Sequence, residues 1–155
     1  MVWDRAFVLG AGLMSILASA PRIAAAQTLP PGWTADSKTG CRVWNNYPQA
    51  DDHVQWQGRC VRGFAQGHGL LRWSSSGKVY ETDRIDMVGG KSNGQGVADD
   101  WKGHFVGRFV DNRPNGQGTL TAKNGQRYSG LWRNGCFDHG GRRMSFFNSD
   151  AGCGF

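Results

Sequence analysis

From Gln27 onward the sequence predicts an all-β protein built of antiparallel hairpins, and three observations predict it. Helix formers are scarce: the whole chain has one Glu, and Ala and Leu are few beyond residue 26. Glycine, 24 of 155 residues, breaks any helical stretch every few positions. Segments such as FVGRF and YSGLW alternate rings and glycine with Val, Arg, Ser and Leu, the period of a strand that buries one face.

The first 26 residues stand apart from that pattern. Met1 to Arg5 is a short polar start, Ala6 to Ala20 carries no charge, and Ala24 to Ala26 ends in a small-x-small pattern. This is the layout of a secretory signal peptide cleaved after Ala26. The uncharged run is shorter than the ~20 apolar residues of a membrane-spanning helix. The expected product is an exported protein of 129 residues (155 − 26), placed in a bacterial periplasm. Its length suits one domain or a short repeat array. Removing Arg5, Arg22 and Asp4 changes the formal charge from +6 to +5 (16 basic, 11 acidic). The excess is dispersed, with Arg142 and Arg143 the only adjacent pair, so it reads as a solvated basic surface and not as a nucleic-acid site.

Taken in order, the first expected elements lie in CRVWNNYPQADDHVQWQGRC, where VW and VQW read as paired strands and NNYPQADD as their loop. That hairpin sets Cys41 opposite Cys60. Four cysteines allow three connectivities, and the local one, Cys41 with Cys60 and Cys136 with Cys153, is expected in an oxidising compartment. The first bridge would contribute ~3 kcal/mol in the chain-entropy model, and the second would fasten a tail that otherwise frays. No CxxC spacing suggests zinc or redox chemistry.

A repeat follows. With an aromatic at position 1, Gly at 3, an aromatic at 5 and Gly at 8, 12 and 14, five of the six positions match from Trp56, from Phe105 and from Tyr128. A degenerate copy from Asp83 keeps only Gly90, Gly94 and Gly96, and the starts lie 27, 22 and 23 residues apart. Glycine between two aromatics clears space for a ring from an adjacent hairpin to lie over the backbone. Asn124–Gly125 predicts a two-residue type I′ turn between GTLTA and RYSGLW, and Asn134–Gly135 and Pro114 to Gly116 mark further turns.

WQGRCVRGFAQGHGLL, FVGRFVDNRPNGQGTL and YSGLWRNG resemble the MORN repeat, with Cys60 in place of an aromatic and Asn112 in place of a glycine. The resemblance implies an elongated antiparallel sheet of stacked hairpins over residues 56–141. Residues 27–55 and 142–155 are then terminal caps locked by the disulfides. The repeat core would consist of Trp56, Gly58, Phe105, Gly107, Phe109, Tyr128, Gly130 and Trp132. The resemblance also implies a binding platform without a common catalytic centre, for protein partners or acidic lipid headgroups.

No catalytic constellation competes with that reading. His53 and His139 follow aspartates, but no ligand or helical spacing joins them, and a small hydrolase built on these loops is the lesser alternative. His68 lies between two glycines expected to form a turn, and Ser74 to Ser76 lack a nucleophile elbow. The sequence thus predicts no catalytic residue, no metal and no cofactor. Trp73 and Trp101 fall outside the repeat's aromatic positions and are expected at the surface with Arg142 and Arg143 as the binding residues. The expected partner is an envelope protein. The alternative is an envelope glycan or anionic lipid held by exposed Trp and Arg.

Overall fold

The structure is a computed structural model that describes residues 28–155, so the expected leader lies outside the described residues. In chain order the elements are β1 (Trp33–Ala35), β2 (Arg42–Trp44), β3 (Asp52–Val61), β4 (Phe64–Ser75), β5 (Lys78–Val88), β6 (Lys91–Asp99), β7 (Gly103–Val110) and β8 (Arg113–Ala122). They continue with β9 (Arg127–Trp132), β10 (Cys136–His139), β11 (Arg142–Ser145) and α1 (Asp150–Cys153). Strands β3 to β9 follow one another in sequence and in space as one long antiparallel sheet of hairpins. That is the fold class the glycine and aromatic pattern predicts.

Six hairpin turns share one geometry, Ser76–Gly77, Gly140–Gly141 and four that fall at the repeat's eighth position. Arg62–Gly63, Gly89–Gly90, Asp111–Asn112 and Asn134–Gly135 all have positive φ at both residues, and each links directly paired residues such as Val110 and Arg113. These are the φ signs of two-residue type I′ turns, matched to the twist of the flanking strands. The second residue of each of these four is the repeat's eighth position. Asn112 stands there with φ 66° because Asn tolerates the left-handed region better than other side chains do. Two expected turns differ. Pro114 to Gly116 lies inside β8, and Asn124–Gly125 belongs to a longer loop in which Gly125 alone has positive φ. There Asn124 Oδ1 accepts from the Gln126 amide at 3.0 Å, and Gly125 donates to Ala122 at 2.8 Å.

The GxG pair opens the two faces of the sheet in turn. On the inner face, the Trp56 ring lies over Gly58 and Gly69, and the Phe105 ring over Gly107 and Gly118, where any Cβ would overlap the ring. The ring therefore comes from the same hairpin and not from an adjacent one as expected: it lies along its own strand and reaches the partner strand. In the degenerate unit Ile85 does this over Gly96. On the outer face, the Arg108 side chain passes within 3.5 Å of where a Gly116 Cβ would stand, and Gly116 has φ +115°.

The core fills the inner face. Val54, Trp56, Leu71, Ile85, Phe105, Phe109, Leu120 and Trp132 are buried together, on alternate positions of their strands. The two ends of the described chain cover them. Beyond β9 the chain turns back as the β10–β11 hairpin, which crosses the boundary expected at residue 141. Phe137 then packs on Trp132 at 5.4 Å, Phe146 stacks on Phe105 at 5.6 Å, and Phe147 reaches Phe109 at 6.1 Å. Such ring pairs contribute ~0.5–1.5 kcal/mol each beyond their buried area.

At the other end β2 pairs with β1 and bridges to Phe64 of β4, not to β3, so the expected VW and VQW hairpin is not formed. The Cys41–Cys60 disulfide forms nonetheless, because the short β1–β2 hairpin lies across the edge of the sheet. Asp36 binds that edge directly, accepting the Trp56 amide at 2.9 Å. The second bridge, Cys136–Cys153, ties β10 to α1.

Candidate functional site

Two surfaces hold side chains that the fold itself does not consume. The first is the outer face of the sheet. Arg59, Arg84, Arg108 and Arg127 are exposed there, and Arg72 is half-buried. They come from five different strands, and the register gathers them. One transverse row runs Leu70, Arg84, Val97, Val106. Val106 is 47% exposed, and a shallow depression of about 370 Å³ lies between Arg84, Val97 and Val106. Two carboxylates on this face are taken by histidines: Asp86 contacts His68 at 2.9 Å and Asp99 contacts His104 at 2.7 Å. Among the described residues, no ion pair engages the five arginines. His68 thus stands in strand β4 and not in the expected turn.

The second surface lies on the inner side, between the two chain ends. A polar cavity of about 50 Å³ is lined by Glu81, Asp83, Ser92, Asn112, Trp73 and Phe147, among others. Asp83 is 2% exposed and its Oδ1 has no partner; Asn112 is 6% exposed and its Nδ2 has none. Asn112 Oδ1 accepts the Ser92 amide at 2.6 Å, which fixes the side-chain orientation and leaves Nδ2 as the free end. Burial pushes the Asp83 carboxyl well above the usual carboxylate range, and the charge of Glu81 adds to it. Glu81 is raised by burial as well, with Asp100 and Asp52 adding their charge against a hydrogen bond to Asp83. The pair therefore retains a proton at pH values where exposed carboxyls have lost theirs.

Wider clefts adjoin this cavity. One of about 330 Å³ shares Tyr80 and Glu81 with it and extends to Asp52; another, of about 400 Å³, shares Phe147 and extends to Tyr47 and Trp101. Tyr80 donates to Asp52 Oδ1 at 3.1 Å, and burial raises its phenol far above the usual range.

The residues expected to bind separate into two sets. Trp101 is 73% exposed on the β6–β7 loop, with Lys102 Nζ 5.4 Å from the centre of its ring. Trp73 is only 4% exposed, a correction to its expected surface position: it shares the inner side of β4 with Ala65 and Leu71. Arg142 lies over the Tyr128 ring at 4.7 Å and donates to the Arg127 carbonyl at 2.7 Å. Arg143 pairs with Asp138 at 3.3 Å, so both arginines are engaged within their own chain. His53 stands on β3 and His139 at the end of β10. Among the described residues, no group of three or more His, Cys, Asp or Glu is placed to hold a metal ion. Glu81, Asp83 and Asn112 were not among the expected site residues, although two of them carried a signal as departures from the repeat.

Residues 56–78 and 105–127 match the family model of the MORN repeat. These spans are the hairpins starting at Trp56 and Phe105; the strand starting at Tyr128 and the hairpin around Asp83 share their geometry outside the match. No curated protein matches the chain. MORN repeats are commonly protein- or membrane-lipid-binding modules and are generally non-catalytic.

Proposed function

We propose that the chain is an exported, non-enzymatic scaffolding module of the bacterial cell envelope that docks an acidic protein partner on its outer sheet face. The observation that carries this reading is the apolar row of Leu70, Val97 and Val106 set among arginines with no carboxylate of their own. A partly apolar centre with arginine around it has the composition of a protein interface. The inner face is covered by the chain itself, which leaves the outer face as the extended free surface. Two disulfides suit an oxidising compartment, in keeping with export.

Crosslinking in intact cells, followed by mass spectrometry of what the tagged protein retains, tests the reading. One acidic envelope protein is expected from the wild type and lost from a folded Arg84→Glu, Arg108→Glu variant. Recovery of the same protein by both would exclude the outer face. Sedimentation with anionic phospholipid vesicles, with no protein recovered, would replace the protein partner by a membrane.

A further inference from the structure

The repeat is broken at several positions within this sheet, and two of the breaks, Asp83 and Asn112, open into one cavity. Asp83 occupies position 1 of its unit, where Trp56, Phe105 and Tyr128 stand in the others. Asn112 occupies position 8, where Gly63, Gly90 and Gly135 stand. Ile85 takes over the packing against Gly96, so the volume an aromatic ring would fill at position 83 remains as the polar cavity of about 50 Å³. Local rules are broken where another structural device requires it, as the disulfide does at Cys60, or at functional sites.

What the two residues present is specific. Asp83 Oδ1 is a buried acceptor without a donor, and Asn112 Nδ2 is a buried donor without an acceptor. A single hydroxyl group satisfies both, donating to the carboxyl and accepting from the amide. A metal ion does not, since the Asn112 amide hydrogens face the space it would fill. Apolar rings adjoin the polar groups: Trp73 and Phe147 in the cavity wall, Tyr80 at its mouth, and Tyr47 and exposed Trp101 along the adjoining cleft. Rings that cover the C–H faces of a sugar, beside carboxyl and amide groups that take its hydroxyls, are the two halves of saccharide recognition.

We infer that this inner cavity and its clefts bind a neutral saccharide chain, one hydroxyl of which seats between Asp83 and Asn112 while Tyr47, Phe147 and Trp101 carry the adjoining sugar rings. The site is separate from the outer face and needs none of its arginines. The closed part has room for little more than a water, ~30 Å³ in the liquid, so it takes one substituent of the ligand while the open clefts take the rings.

Titration calorimetry of the full mature chain with cellotetraose, maltotetraose and the β-1,4-linked N-acetylglucosamine tetramer tests the inference. At least one tetrasaccharide is expected to bind, with affinity about tenfold weaker in Asn112→Gly and in Asp83→Leu, each the loss of one buried hydrogen bond. Asn112→Gly restores the residue the turn carries elsewhere, so its backbone is preserved; Asp83→Leu removes the acceptor and leaves no large void. Trp101→Ala should weaken binding without altering the thermal midpoint, and Arg84→Glu should bind as the wild type does. Failure of all three saccharides to bind at millimolar concentration overturns the inference, as does binding that neither cavity variant weakens.

Discussion

The ring of Phe105 lies against the backbone of Gly118 on the neighbouring strand, in the space a Cβ at position 118 would need. Gly118 is outside the left-handed region, so alanine would find its backbone conformation acceptable and meet the ring first, with the Val106 carbonyl oxygen next at 3.3 Å. Phe105 has nowhere to retreat, since Phe109, Trp132 and Phe146 surround it at 5.2 to 5.6 Å. Gly118→Ala is therefore expected to destabilise the protein by ~1–3 kcal/mol, the usual cost of overpacking a filled core. Equilibrium denaturation measures it, and an unchanged midpoint would mean that the ring can shift freely.

The C-terminal segment works as a lid on the core, and its removal should expose that core. Phe146 is fully buried between Phe105 and Phe147. Phe146→Ala should cost ~3–5 kcal/mol, the range for deleting a buried aromatic side chain. Opening the Cys136–Cys153 bridge, 17 residues apart in sequence, with Cys153→Ser should cost ~3 kcal/mol in the chain-entropy model. Limited proteolysis distinguishes the effects: each variant should be cut first after Cys136, whereas a cut in β3 to β8 would contradict a lid released on its own.

The repeated glycines and inner rings were legible because they depend on local chemistry, a turn that needs positive φ and a ring that needs a glycine beneath it. The pairing was not, since the VW and VQW hairpin is absent and Pro114 to Gly116 lies inside β8. Trp73 was legible in principle. Continuing the alternation from Gly69 through Leu71 places it on the inner side, but the six-position template stops at Gly69 and gives no cue beyond it. The return of Phe146 and Phe147 over the sheet left no trace in the periodicity, because stacking between segments 41 residues apart (146 − 105) depends on where the chain turns after β9. The cavity was half legible. Asp83 and Asn112 each departed from the repeat, yet only the pairing of β5 through β8 brings them to one place. The outer arginines looked dispersed for the same reason.

Asp36 offers a test of how the sheet edge is held. Its carboxylate accepts the Trp56 amide at 2.9 Å and the Lys38 amide at 2.8 Å. Burial pushes its carboxyl upward, but these amide hydrogen bonds outweigh burial and hold it below the usual range. Asp36→Ala would leave the Trp56 amide on the edge of β3 without its acceptor, a loss of ~1–3 kcal/mol. Asp36→Asn should cost less, because the amide oxygen still accepts. Equal losses in the two variants would mean that charge, and not the hydrogen bonds, is what matters there.

Stability should respond to pH in opposite senses at these two places. A lowered carboxyl such as Asp36 contributes stability above the usual carboxylate range and loses it as pH falls through its folded value. Glu81 and Asp83 are raised by burial, so the folded protein binds more protons than the unfolded chain once the pH exceeds that range. With the folded state the more protonated, the contribution of this pair falls as pH rises through neutrality into the mildly alkaline range and is constant below the usual carboxylate values. The midpoint of chemical denaturation is therefore expected to decline steadily from about pH 5 to about pH 9. Glu81→Gln, which fixes a neutral group of the same shape beside Asp83, should flatten that decline and stabilise the protein most at the alkaline end. A Glu81→Gln variant with the wild-type slope would place the alkaline loss in some other group and leave the carboxyl pair ionised within the fold.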